Sequence, residues 1–160
     1  MRYKNSLVPP SDERIRKIEK FLRVVFPADY IKFIKQCNGC IPIDCTFVCG
    51  GHEYLIERFL CILDVDMYKK MDEGCYDILV VTTDIEMCLT EDGDKLGLTI
   101  VPIAALFAGE LVCLDFRKDM DHPEVCIWFH EESEYLSPST QKVANSFTEF
   151  LSMLKEPEED

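Results

Sequence analysis

Apolar side chains first recur at Ile15, Ile18, Leu22 and Val25, in steps of three and four that place them on one helical face. Ser11-Asp12-Glu13 precedes them with a capping hydroxyl and two carboxylates suited to a helix N-terminus. Residues 1–10, ending in Pro9-Pro10, read as a loose lead-in. A second helix starts at Pro27, a favoured first-turn residue, with Tyr30, Phe33, Ile34 and Cys37 as its stripe and Asn38-Gly39 as its stop. The period then becomes two. Ile41, Ile43, Cys45, Phe47 and Cys49 share one parity, with Asp44 and Thr46 on the other, which predicts a half-buried strand over 41–49. Gly50-Gly51 marks a turn, and residues 54–63 form a second candidate strand, best at Phe59–Leu63. Asp64 is placed to cap a short helix through Tyr68 and Met71.

From residue 76 to 90 two signals compete. Ile78, Val81, Ile85, Cys88 and Leu89 have helical spacing, whereas Val80-Val81-Thr82-Thr83 is β-branched; the spacing predicts a helix from about Asp77 to Leu89. Thr99–Ile103, Leu111–Phe116 and Val125–His130 read as strands, with Ala108-Gly109-Glu110 turning into the second of them. Glu131 to Pro138 is a polar loop. A last helix is predicted from about Ser139 to Lys155 on Val143, Phe147, Phe150, Leu151 and Leu154, followed by an acidic tail over 156–160. The order is a helix pair, a mainly antiparallel sheet with a helical excursion, and a helix packed on the sheet. That is one α+β domain over residues 11–155.

A chain of 160 residues buries enough surface to fold without a disulfide or a metal. Its charge narrows the function classes. Thirty acidic against 17 basic residues give −13, which repels nucleic acid and anionic membranes. Residues 1–60 carry 10 basic and 7 acidic side chains (net +3), and residues 61–160 carry 7 and 23 (net −16). Gathered on one face, that excess attracts a basic protein partner; spread out, it serves only solubility. No apolar signal segment is visible at the N-terminus, and the 98–108 stretch is too short to span a bilayer. Nine cysteines are an odd count for a disulfide framework. Free thiols in a cytoplasmic protein are the expectation.

Candidate chemistry mostly dissolves into packing. Cys37, Cys40, Cys45 and Cys49 suggest a zinc site, but Cys37 lies on a helical stripe, and Cys45 and Cys49 share the apolar parity. Only Cys40 lacks a packing role, and no metal or other cofactor is expected. His52, His122 and His130 mark no Cys–His pair, and an acidic setting raises a thiol pKa rather than activating it. The carboxylate runs Asp92-x-Asp94, Asp119-x-Asp121 and Glu131-Glu132-x-Glu134 sit in predicted turns. No phosphate loop, G-x-S-x-G or H-E-x-x-H is present. No catalytic residue is assigned.

Four segments in order resemble the SUKH superfamily, in particular its Smi/Knr branch. They are Phe26-Pro27-Ala28-Asp29-Tyr30 running on to Asn38-Gly39-Cys40, Val101-Pro102-Ile103-Ala104 with Gly109-Glu110-Leu111-Val112-Cys113-Leu114-Asp115, Val125 to His130-Glu131, and Val143-Ala144-Asn145-Ser146-Phe147-Thr148-Glu149-Phe150-Leu151. Cys40 and Glu110 depart from the usual Gly and Asp. The resemblance implies a non-enzymatic protein-binding domain: an immunity protein that neutralises a cognate toxin, often a nuclease, or a regulatory adaptor of cell-wall assembly or signalling. The candidate partner-binding residues are Glu110, Asp115, Trp128, Glu131, Glu132 and Glu134. For Trp128 a core position and an interface position both stay open, and Glu110 and Asp115 could equally serve turns.

Overall fold

In the computed structural model, which describes residues 1–64 and 72–158, Ser11 caps the first helix by accepting a hydrogen bond from the Arg14 N–H at 3.1 Å. Helix α1 (Asp12–Leu22) buries Ile15, Ile18 and Leu22. It stops before Val25 because Arg23 turns left-handed at φ 61°, which leaves Val25 70% exposed instead of on the stripe. Helix α2 (Ala28–Gln36) follows Pro27 and buries Tyr30, Phe33 and Ile34.

The buried Asn38 shows why an Asn-Gly pair ends α2. Its Nδ2 donates to the carbonyls of Val8 (2.7 Å) and Ile62 (2.9 Å), and its Oδ1 accepts from the Ile62 N–H (2.8 Å). Gly39 follows at φ 63°, where an added Cβ would lie 2.8 Å from that of Cys61. Residues 1–10, expected to be loose, are thereby tied to the body. In addition β1 (Tyr3–Lys4) pairs with β2 (Ile41–Pro42), and Pro10 is buried.

The strand expected over 41–49 is broken in two. The Ile43 N–H donates to the Arg2 carbonyl, and Asp44 accepts from the Arg2 backbone N–H and guanidinium, so the chain bends there and Ile43 is exposed. β3 (Thr46–Cys49) begins beyond the bend and keeps the expected alternation at Phe47, Val48 and Cys49, whereas Thr46, expected on the opposite face, is buried where it bonds to Lys155. β4 (His52–Phe59) ends where the second strand was expected to be strongest. Residues 60–63 are buried but are held by Ile103, Tyr76, Asn38 and the Asp77 carboxylate rather than by one ladder. The short helix expected from Asp64 through Tyr68 and Met71 lies mostly outside the described residues.

Asp77 caps α3 (Ile78–Ile85), and a 3₁₀ turn at Glu86–Cys88 completes the excursion. The helical period thus prevails over the β-branched run. β5 (Ile100–Leu106), β6 (Leu111–Asp115), β7 (Glu124–Trp128) and β8 (Thr140–Ala144) complete a six-stranded antiparallel sheet in sequential order from β3 to β8. Pro102, unable to donate to a ladder, sits where the β5–β6 register shifts. The last helix is much shorter than expected. Residues 140–144 are strand β8, and α4 spans only Phe147–Met153. A capping box separates the two: Ser146 accepts from the Glu149 N–H (3.1 Å), and Glu149 reaches back to the Asn145 N–H (2.6 Å).

The central strands β5–β7 are almost wholly buried, which requires cover on both faces. Helix α4 lies against β7 and β8, α3 lies against β5, and α2 lies against α4. Rings join the helical layer to the sheet. Phe147 meets Tyr30 and Phe33 at centroid distances of 5.3 and 5.1 Å, Phe33 meets Phe59 at 4.7 Å, and Phe150 meets Phe47 at 5.2 Å. The sheet also curls until its edges approach. The Cys49 thiol of β3 lies 3.4 Å from the Lys142 carbonyl of β8, and Thr46 exchanges backbone hydrogen bonds with Lys155.

Candidate functional site

The register of the sheet decides which acidic residues can act together. Leu111 pairs with Trp128, so the turn before β6 and the loop after β7 leave the sheet at the same end. That turn is Phe107-Ala108-Gly109-Glu110, with Ala108 and Gly109 at φ 80° and 96°. It is anchored by the Leu106 N–H on the Glu110 carbonyl and by the Phe107 N–H on the Leu55 carbonyl of β4, both at 2.9 Å. The loop carries Glu131, Glu132 and Glu134 and closes its tip with paired backbone bonds between Glu134 and Ser137. Glu132 accepts from Ser139 Oγ at 3.0 Å.

Tyr54 of β4 precedes Leu55, whose carbonyl anchors the turn. Its phenol is held above the ordinary tyrosine range first by burial, then by the neighbouring Cys49 and by the charges of Glu110 and Glu132. Glu110 and Glu132, 22 positions apart in sequence, thus both lie within electrostatic reach of this phenol, each adding a smaller part than burial does. Glu131, Glu132 and Glu134 are exposed and Glu110 is half-buried. None of the four makes an ion pair among the described residues.

Two of the expected contact residues do not join them. Trp128 is 1% exposed and donates its indole N–H to the Cys88 carbonyl at 2.9 Å, so it is core and unavailable to a partner. Asp115 lies at the far end of β6, about 17 Å along an extended strand from Glu110. Its carboxylate is occupied by Arg117 (Nε–Oδ1 2.9 Å, Nη2–Oδ2 2.7 Å), which also binds Thr140 and Glu91. Asp115 serves the fold. The same acidic end carries two side chains that sequence reasoning passed over: Phe107 is 73% exposed and Tyr135 is 69% exposed. Their signal was available, since each is a large ring placed in a turn rather than on a period-two or helical face.

A model of the family described as SMI1-KNR4 cell-wall, SUKH_6, matches residues 12–151. The chain belongs to the SMI1-KNR4 family. It is also similar to the SPbeta prophage-derived uncharacterized protein YokK of Bacillus subtilis (strain 168), at 27% identity over 152 residues, covering 92% of this chain and 76% of the relative. No solved structure gives a significant match.

In this SMI1-KNR4 family member the residues that carry the resemblance mostly build the fold. Asn38 joins three segments, and Ser146 and Glu149 separate β8 from α4. Asp29 accepts from the Thr148 N–H and hydroxyl at 2.9 and 2.8 Å, which docks α2 on α4. Seven of the nine cysteines are buried and pack as small apolar side chains; Cys88 is half-buried and Cys75 exposed. Cys37, Cys40, Cys45 and Cys49 are all buried, and burial pushes the Cys61 thiol up to about 12. Among the described residues no group of three or more His, Cys, Asp or Glu is placed to hold a metal ion. No described helix is long and apolar enough to cross a membrane.

Proposed function

We propose that this chain is a non-enzymatic immunity protein that binds and neutralises a basic toxin through the acidic end of its sheet. The observation that carries this reading is the Leu111–Trp128 pairing, which brings the turn at Glu110 and the loop of Glu131, Glu132 and Glu134 to one end of the sheet together with the exposed Phe107 and Tyr135. Unpaired carboxylates give a basic partner fast, oriented encounter. Exposed rings supply the apolar anchors that carry most of the energy at protein interfaces. A nuclease toxin, whose surface is built for polyphosphate, has the complementary charge, and a plug of carboxylates would occupy its phosphate track. Membership of the SMI1-KNR4 family and the likeness to a prophage-derived relative support the reading.

The test is co-expression with the product of a neighbouring toxin gene, followed by association kinetics across a salt series. Rescue of growth, with an association rate that falls steeply as salt rises, is the expected result. A salt-independent rate removes the electrostatic part. Capture of a resident wall-synthesis enzyme with no toxin rescue replaces the reading with that of a regulatory adaptor.

A further inference from the structure

Away from the acidic end, the last turn of α1 and the 86–98 segment line an open cavity of about 610 Å³, within the range of small-molecule sites. Its floor is apolar, with Leu22 and Leu98 buried beneath it, and Phe21 and Leu96 stand at its rim 62% and 72% exposed. Its charge runs against that of the whole molecule. Four lining residues are basic (Lys17, Lys20, Arg23 and Lys95) and two are acidic (Glu86 and Asp92), in a chain of net charge −13. Lys17 is partly neutralised by Glu13 at 2.9 Å. Lys20, Arg23 and Lys95 make no ion pair among the described residues.

The wall is built into the backbone. Gly97, at φ 80°, lies against the end of α1, where a Cβ would collide with the Leu22 carbonyl oxygen and with Cβ and Cγ of Arg23. The next residue, Leu98, donates its N–H to that same Leu22 carbonyl at 2.9 Å. Arg23 itself is left-handed, which ends the helix and leaves the exposed Arg23 among the lining residues. Two backbone turns, distant in sequence, thus bring cations and apolar surface around one hollow.

We propose that this cavity is a binding site for a small amphipathic anion, an apolar or aromatic body ending in a carboxylate, sulfonate or phosphate. The apolar body covers Phe21, Leu96 and the floor, which gains from removing that surface from water. The anionic head meets Lys20, Arg23 and Lys95. Head and body are each matched by one part of the lining, and an uncharged or cationic amphiphile satisfies only one of the two. The inference does not rest on toxin binding and fails or stands separately from it.

Titration of the full chain with anilinonaphthalenesulfonate, an aromatic anion whose emission reports apolar sites, tests it. The expected result is saturable one-to-one binding, displaced by decanoate or decyl phosphate and not by decyltrimethylammonium. Amide shifts on binding should be confined to residues 17–23 and 86–98. Lys20→Glu with Lys95→Glu, two exposed positions, should weaken binding by about tenfold or more with an unchanged thermal midpoint. Leu96→Asp should weaken it independently. Non-saturating binding, equal displacement by the cationic amphiphile, retained affinity in the charge-reversed variant, or shifts centred on residues 107–110 and 129–137 would each overturn the proposal. So would displacement by an acidic peptide but not by decanoate, which would make the cavity a docking groove for a partner segment.

Discussion

The acidic end of the sheet and the cavity beside α1 are opposite in chemistry and in construction. At the sheet end, carboxylates sit on turns, with backbone bonds fixing the turns and few side-chain partners restraining the charges. At the cavity, cations ring a hollow whose wall depends on two left-handed residues, Arg23 and Gly97. Net charge describes the first region well and misdescribes the second. A molecule at −13 can still hold a local excess of positive charge, because charges interact over about 8–10 Å at physiological salt and not over a whole domain.

The comparison is broken most strongly by removing what both regions stand on. Trp128 ends the strand that leads into the acidic loop and donates to the Cys88 carbonyl within the cavity segment. Trp128→Ala should cost about 3–5 kcal/mol in urea denaturation, whereas Phe107→Ala, at an exposed tip, should stay within about 0.5 kcal/mol. Next in size is a charge test. Glu110→Lys with Glu132→Lys should slow association with a basic toxin by about 10- to 1,000-fold in stopped-flow measurements. Lys20→Glu with Lys95→Glu should leave that rate within about twofold or raise it. Equal losses in both pairs would mean that the two regions act as one interface.

The cavity wall gives a smaller effect. Gly97→Ala combines a collision with a positive φ and should destabilise by about 1–3 kcal/mol while weakening binding of the aromatic anion. Gly109→Ala meets open space at φ 96° and should cost only the backbone part, about 1–2 kcal/mol. The smallest effect sharpens the acidic end. Tyr54 has a raised folded-state pKa, so its contribution to stability is complete below the unfolded value near 10 and is lost as pH climbs through the folded one. In tyrosine-labelled NMR titrations, Glu110→Gln with Glu132→Gln should lower that folded pKa part of the way, leaving the larger share that burial causes. An unchanged Tyr54 titration would separate the two carboxylates from the phenol.

How much of this was legible in the sequence depends on the range of the cause. Local causes read well. Ser11 before α1, Asn38-Gly39 after α2, Asp77 before α3 and the three central strands follow from caps and periods within a few residues. The error at residues 139–146 had a remedy on the page, since Ser146-x-x-Glu149 is a capping box and places the helix start after the strand. Val143 obscured it by standing four residues before Phe147. What makes 140–144 a strand is β7, whose edge it completes. The bend at 43–45 depends on Arg2, and the fate of Asp115 depends on Arg117 and the fold around it. The acidic end was half legible. The glutamates were visible as a run, but the register that joins Glu110 to Glu132 was not. The cavity was illegible, because its halves are more than 60 positions apart in sequence and its cations look like the solvated side of an ordinary helix.

The pairing of Thr46 with Lys155 spans 109 positions and has a consequence for synthesis. Strand β3 leaves the ribosome long before the segment that seals its outer side, so a growing chain carries an unprotected strand edge until residue 155 has emerged. The last steps of folding then follow translation of nearly all of this sequence, and a chain stalled before Phe147 would present a sticky intermediate to chaperones.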